Sequence, residues 1–200
     1  MKKLSYILIS FFLVINFALA SDYSSNPRLF VSELVNDAIS KLSDKDLTKD
    51  EKSNYIAAIA LKNVDINALS LYTLGELRKS TDQKDIDRYQ QVFEKYFLKS
   101  LTSRLNDYSN NKFEIVEAEK KNSNYTIVKS KIVANDKNPE IKIDWRIYTK
   151  NPEKPLIRDL IVEGLSLART QKEEFASILS SNNNDINLLI TKLEEFLKSK

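Results

Sequence analysis

DLIVEGLSLARTQKEEF, Asp159 to Phe175, changes character three times within one short stretch. Leu160-Ile161-Val162 is apolar and mostly β-branched, which suits a buried strand. Glu163-Gly164 then breaks the run with one of only two glycines in the chain. Thr170 and Glu173 stand at capping-box spacing: the threonine can accept from the first helical turn and the glutamate can reach back. Phe175, Ile178 and Leu179 follow on one helical face. The stretch predicts a strand, a tight exit and an amphipathic helix.

Working outward, periodicity divides the chain in two. Before Asn110-Asn111 the spacing is helical. Pro27 suits a first helical turn, and Phe30, Leu34, Ala38 and Leu42 form one stripe. Asp44 to Lys49 reads as a loop, after which Thr48 and Glu51 make a second capping box. Asp65 to Leu77 is apolar on several sides, as in a buried helix or helix pair. The longest segment runs from Ile86 to Tyr108, with Ser80 or Thr81 as the expected cap. Beyond Asn111 the period drops to two. Phe113–Ala118, Tyr125–Ala134, Ile141–Tyr148 and Leu156–Val162 are expected strands separated by turn residues. Ile141, Ile143, Trp145 and Ile147 alternate with Lys142, Asp144, Arg146 and Tyr148, the pattern of an antiparallel sheet with one wet face. Two helices close the chain, the last from Asn184. Helices, a four-stranded meander and further helices define an α+β domain with helices laid on one sheet face.

Residues 1–20 have the form of an export signal. Lys2-Lys3 is a basic start, Leu4 to Phe17 is mostly apolar, and Ala18-Leu19-Ala20 fits small-x-small cleavage. A membrane anchor is the alternative, but the run falls short of the roughly 20 residues a span requires and Asn16 interrupts it. With no cysteine there is no lipidated residue to follow cleavage and no disulfide. The expected product is one soluble domain over residues 21–200 in the periplasm. Formal net charge is +3 for the whole chain and +1 without Lys2 and Lys3. That balance, with basic and acidic residues interspersed, is no nucleic-acid footprint.

Composition also excludes much chemistry. The absence of histidine and cysteine removes the commonest general base, the thiol nucleophile and the usual zinc ligands. The two glycines, Gly75 and Gly164, are not the pair five apart and followed by Lys that a P-loop needs, and two are too few for a G-x-G-x-x-G dinucleotide turn. Gly164-Leu165-Ser166 starts like a nucleophile elbow, but Ala168 replaces its second glycine; Ser166 reads as a turn or helix-entry residue. Asp44, Asp46, Thr48 and Asp50 mimic a calcium loop that fails at Lys49 and Tyr55. Glu117 and Glu119 share a strand face without an evident cause for divided acid and base roles. Asp144 and Asp159, near the sheet, are the carboxylates a cone-shaped hydrolase or isomerase would use.

Asp159-Leu160-Ile161-Val162-Glu163-Gly164-Leu165-Ser166 followed by Phe175 resembles the signature of the MlaC (toluene-tolerance) family. Leu74-Gly75 with Arg78, Lys79 and Thr81 is similar to that family's turn before its long helix. Phe93 matches its recurrent phenylalanine, Ile143-Asp144-Trp145-Arg146 its penultimate strand, and Ile186, Leu189, Ile190 and Leu193 its closing helix. Pro155 replaces a frequent tryptophan, Asn151-Pro152-Glu153-Lys154 lacks the usual glycine, and Asn183-Asn184 stands where a glycine usually precedes the last helix.

The resemblance implies a periplasmic phospholipid carrier with no cofactor, phospholipid being its cargo. It implies two partners: an inner-membrane ABC transporter with a ring of MCE domains, and an outer-membrane lipoprotein–porin complex. The carrier itself is expected to be a monomer. The expected apolar cavity is lined by Leu71, Leu74, Phe93, Phe97, Leu101, Leu105, Phe113, Ile143, Trp145, Ile147, Ile161 and Leu165. Arg78, Lys79 and Arg146 are candidates for head-group or partner contact. A protein-binding adaptor or chaperone with a solid core is the competing expectation, ahead of the carboxylate enzyme.

Overall fold

The computed structural model describes residues 22–105, 112–135 and 139–199, with side chains outside 104 and 105. The export signal and Tyr108 therefore lie outside the described residues. Helix α1 (Pro27–Ser43) starts where Asn26 accepts from the Arg28 and Leu29 amides, with Pro27 in the first turn. Helix α2 (Lys49–Asn63) carries the expected capping box, both Thr48 and Glu51 bonding as predicted. Helix α3 (Ile66–Thr73) is capped by Asp65, and a 3₁₀ turn, Gly75–Lys79, follows. Gly75 sits at φ +59°, a backbone a side chain would strain. Helix α4 (Gln83–Leu105) begins after Ser80 and Thr81. Their hydroxyls donate back to the Leu77 carbonyl, so neither is the cap; the Asp82 carbonyl takes the first helical amide bond.

Strands β1 (Phe113–Lys120), β2 (Tyr125–Ile132), β3 (Ile141–Tyr148) and β4 (Leu156–Val162) form the antiparallel meander. A two-residue fifth strand, β5 (Leu165–Ser166), extends it beyond the four expected, because the Glu163-Gly164 turn folds the chain back on β4. Glu163 and Gly164 adopt φ +48° and +83°, the twist a two-residue hairpin needs.

Helix α5 (Leu167–Ser180) corrects a second expectation: its cap is Ser166, not Thr170. The cause is Asp159. Its buried carboxylate accepts from the Ser166 hydroxyl at 2.6 Å and the Ala168 amide at 3.0 Å. Those bonds start the helix four residues early, and Thr170 is left to donate to the Ser166 carbonyl. Helix α6 (Ile186–Lys198) follows Asn183 and Asn184 at φ +53° and +57°. Asparagine is the side chain that best tolerates this region, so it does the work of the missing glycine.

Apolar burial is divided between two cores. One is helical: Tyr89, Val92 and Phe93 of α4 pack with Leu74, Phe175, Leu179, Leu189, Ile190 and Leu193. Phe175 meets Tyr89 and Phe93 edge-on, at ring-centre distances of 6.4 and 6.2 Å. The other lies between the sheet and helices α1 and α2, and joins Phe30, Val31, Leu34, Ile56 and Ile59 to Val128, Trp145, Ile147 and Ile157. Val64 touches both cores. Beside it, Asp65 donates its amide to the Ile157 carbonyl and accepts from Arg158 at 2.8 Å. Arg158 lies over the Tyr148 ring at 3.5 Å and donates to the Tyr125 hydroxyl, fastening the start of α3 to the sheet.

Because Asp159 satisfies two donors and faces Arg146 at 3.4 Å, Asp159→Ala should cost about 2 kcal/mol. In a chain of this size that lowers Tm by about 4–8 °C. An unchanged Tm in a thermal melt would show that the carboxylate does not hold this junction.

Candidate functional site

The sheet has two unlike faces. Residues paired across it point the same way, so the register assigns each strand's faces. On one face lie Phe113 and Ile115 of β1, Ile132, Ser130 and Val128 of β2, Ile141, Ile143, Trp145 and Ile147 of β3, and Leu160 and Val162 of β4. Two irregularities keep that face apolar. A bulge between Ile115 and Glu117 ejects Val116, which is exposed, and one in β4 lets Ile157 rejoin the row.

Among the described residues, this face is fully buried at one end only. Helix α1 packs on β1 and β2, its Arg28 donating to the Ile115 and Val116 carbonyls, and Val128 and Ile147 are at 0% exposure in the core that the sheet shares with α1 and α2. Toward the start of β3, Phe113, Ile115, Ile132, Ile141, Ile143, Leu160 and Val162 are all only partly buried. Leu101 of α4 packs against the core built on the sheet, and Phe97 and Leu98, a turn earlier, pack on the helical core instead. The polar groups here are mutually satisfied. The Trp145 indole donates to the Ser130 hydroxyl at 2.9 Å, and that hydroxyl donates to the Ile143 carbonyl at 2.8 Å. The surface between Leu101 and the open end of the sheet thus asks for apolar contact, not hydrogen bonding.

Of the expected lining residues, Phe113 and Ile143 lie at this open end, Leu101 packs on the same core, and Trp145 marks the border, its ring edge-on to Phe113 at 6.3 Å. Ile147 is sealed in the core between the sheet and helices α1 and α2. Leu74 and Phe93, at 3% and 1% exposure, belong to the helical core, against which Phe97 also packs. Leu71 is partly buried on α3, and the Leu105 side chain lies outside the described set.

Two placements depart from expectation. Ile161 is on the opposite face, beside Asp144 and Arg146 in a groove of about 590 Å³, because its odd position in β4 turns it away from Leu160 and Val162. Leu165 is 68% exposed at the sheet edge rather than inside. Ile115, Ile132, Leu160 and Val162 are additions to the expected lining, as is Ile141, which the alternation of β3 had placed on the apolar face. Their signal was the two-residue alternation, which the β1 bulge interrupts and the continuous Leu160-Ile161-Val162 run conceals.

The three cations are local fasteners. Arg78 donates to the Gly75 and Leu71 carbonyls, Lys79 pairs with Glu76 at 2.6 Å, and Arg146 faces Asp159. The carboxylates are similarly employed. Glu117 pairs with Lys129 and Glu119 with Lys121, both at 2.6 Å. The Lys121 ammonium holds the Glu119 carboxyl below its usual range, the wrong direction for a general acid. Among the described residues no cluster could hold a metal ion, and no helix is long and apolar enough to cross a membrane.

The family model described as MlaC protein matches residues 32–195. Among solved structures, the chain is similar to the phospholipid-binding protein from Ralstonia solanacearum, determined in complex with a phospholipid. The TM-score is 0.70 at 18% identity, over 84% of this chain and 94% of that one. At that identity the likeness establishes the fold. No curated protein sequence matches the chain.

If the open end is an apolar binding surface, an environment-sensitive apolar dye such as N-phenylnaphthylamine should bind there. Ile143→Asp should weaken binding roughly tenfold by placing a charge on that surface. Ile161→Asp, on the opposite face, should leave it unchanged. Equal effects from the two in a fluorescence titration would remove the site from this face.

Proposed function

The chain belongs to the MlaC family, and from that premise we propose that it is a phospholipid carrier that holds acyl chains between α4 and the open end of the sheet. The observation that carries this reading is the sheet face itself, largely apolar, fully buried at one end and only partly buried toward the start of β3. Leu101, Phe113, Ile115, Ile143 and Val162 would contact the acyl chains, while a charged head group stays at the rim, in water.

The energetics suit a carrier. Each methylene removed from water is worth roughly 0.8 kcal/mol, so two acyl chains supply ample driving force. A bilayer buries the same chains equally well, so exchange between membrane and protein is close to neutral. A near-neutral exchange lets the protein load and unload, and it leaves direction to an external energy source. The chain has no P-loop to bind a nucleotide. The family premise supports that source being an inner-membrane ABC transporter with an MCE ring, with an outer-membrane lipoprotein–porin complex at the other end. The signal-like residues 1–20 support a periplasmic location, and no catalytic step is needed.

Native mass spectrometry of residues 21–200, purified without detergent, tests this directly. The expected spectrum carries a discrete added mass that extracts into organic solvent as phospholipid. Ile143→Asp and Val162→Asp should lose most of that mass while remaining folded by circular dichroism. A bare mass that vesicles cannot shift would instead favour a protein-binding adaptor.

A further inference from the structure

Resting on the carrier reading, we infer that the β4–β5 hairpin tip, led by Leu165, is the contact through which the protein engages a lipid surface during loading. At 68% exposure, Leu165 is the most exposed large apolar side chain among the described residues, and Leu167 beside it is 42% exposed. Isolated exposed leucines are ordinary; the position of this one is not. The register runs Ile115, Ser130, Ile143, Val162, Leu165 in a single cross-strand row on the apolar face. Leu165 therefore ends the row that forms the proposed acyl surface, at the edge strand, where that surface meets solvent.

The tip is also built rigidly. Glu163, a non-glycine residue, is held at φ +48°, a conformation that persists only where surrounding contacts enforce it. Those contacts are present. The Glu163 amide donates to the Lys142 carbonyl at 3.0 Å, and the Glu163 carboxylate accepts from the Lys142 amide. Nothing lies within 4 Å of the position a side chain would occupy at Gly164, so the turn projects into open space. A fixed, projecting leucine needs little ordering to enter the outer layer of a membrane. Exposed Lys142 pairs with the tip through the Glu163 backbone and exposed Arg169 through the Ser166 hydroxyl; two cations against the single Glu163 carboxylate suit an anionic surface. An acyl chain leaving the bilayer at Leu165 would pass to Val162 and Ile143 without crossing a polar gap.

The test separates loading rate from binding capacity. Lipid-free protein is mixed with vesicles of phosphatidylethanolamine and phosphatidylglycerol containing brominated acyl chains, and quenching of Trp145 is followed in time. Leu165→Glu and Leu165→Ser should each slow uptake roughly tenfold. Both should reach wild-type occupancy by native mass spectrometry when loaded from detergent-dispersed lipid. Leu61→Glu, another exposed leucine outside this row, should load at the wild-type rate. Wild-type uptake by both Leu165 variants, or equal slowing by Leu61→Glu, overturns the inference while leaving the carrier reading intact. Failure of the wild-type protein to take up lipid by either route overturns both.

Discussion

One helix has to serve two hydrophobic cores. Tyr89 and Phe93 at its start lock α4 into the helical core against Phe175 and Leu189. Leu101, nearer its end, reaches the core built on the sheet. The Thr73–Tyr89 hydroxyl bond, 2.7 Å long and buried, fixes the first half in place, and burial pushes the Tyr89 phenol's pKa up, so it stays a neutral hydrogen-bonding group. With that end immobile, α4 contributes to the sheet core only through its second half. Helices α1 and α2 complete the sheet core and bury one end of the face fully. The partly buried apolar strip toward the start of β3 is what these coverings leave.

On the proposed reading, lipid binding follows from a deficiency of packing. Close-packed interiors tolerate few voids, and a sheet face left partly unsealed is a standing demand for an apolar partner. An acyl chain meets that demand without requiring a hydrogen bond, and Ser130 and Trp145 have already satisfied one another. The charged groups nearby are committed to the scaffold. Asp159 starts α5, Arg158 ties α3 to the sheet, and Glu117 and Glu119 pair with lysines on the outer face. This division between a satisfied polar frame and an unsatisfied apolar strip distinguishes the proposed carrier from an enzyme better than any single residue does.

Most of the fold was legible in the sequence because its devices are local. Pro27, the Thr48–Glu51 box, the strict alternation of β3 and the Glu163-Gly164 break all act within a few residues, and all appear where periodicity puts them. What failed was non-local. Thr170 and Glu173 have the right spacing for a cap, yet Asp159, eleven residues earlier, starts the helix at Ser166. The site was legible only in outline. An apolar residue on α4 can serve either core, so Phe93 and Leu101 look alike in sequence yet lie in different cores. In β4 the uninterrupted Leu160-Ile161-Val162 run hides which residues face inward, and only pairing with β3 resolves it.

Trp145 is the chain's single tryptophan and stands at the border between the sealed and open parts of the sheet face. Its emission in the lipid-saturated protein, compared between brominated and unbrominated acyl chains, is the most direct measurement of the central claim. The account predicts strong quenching by bromines placed along the chain and little by bromine confined to the head group. Undiminished emission in protein shown by mass to hold a brominated phospholipid would place the acyl chains somewhere other than this sheet, and would contradict it.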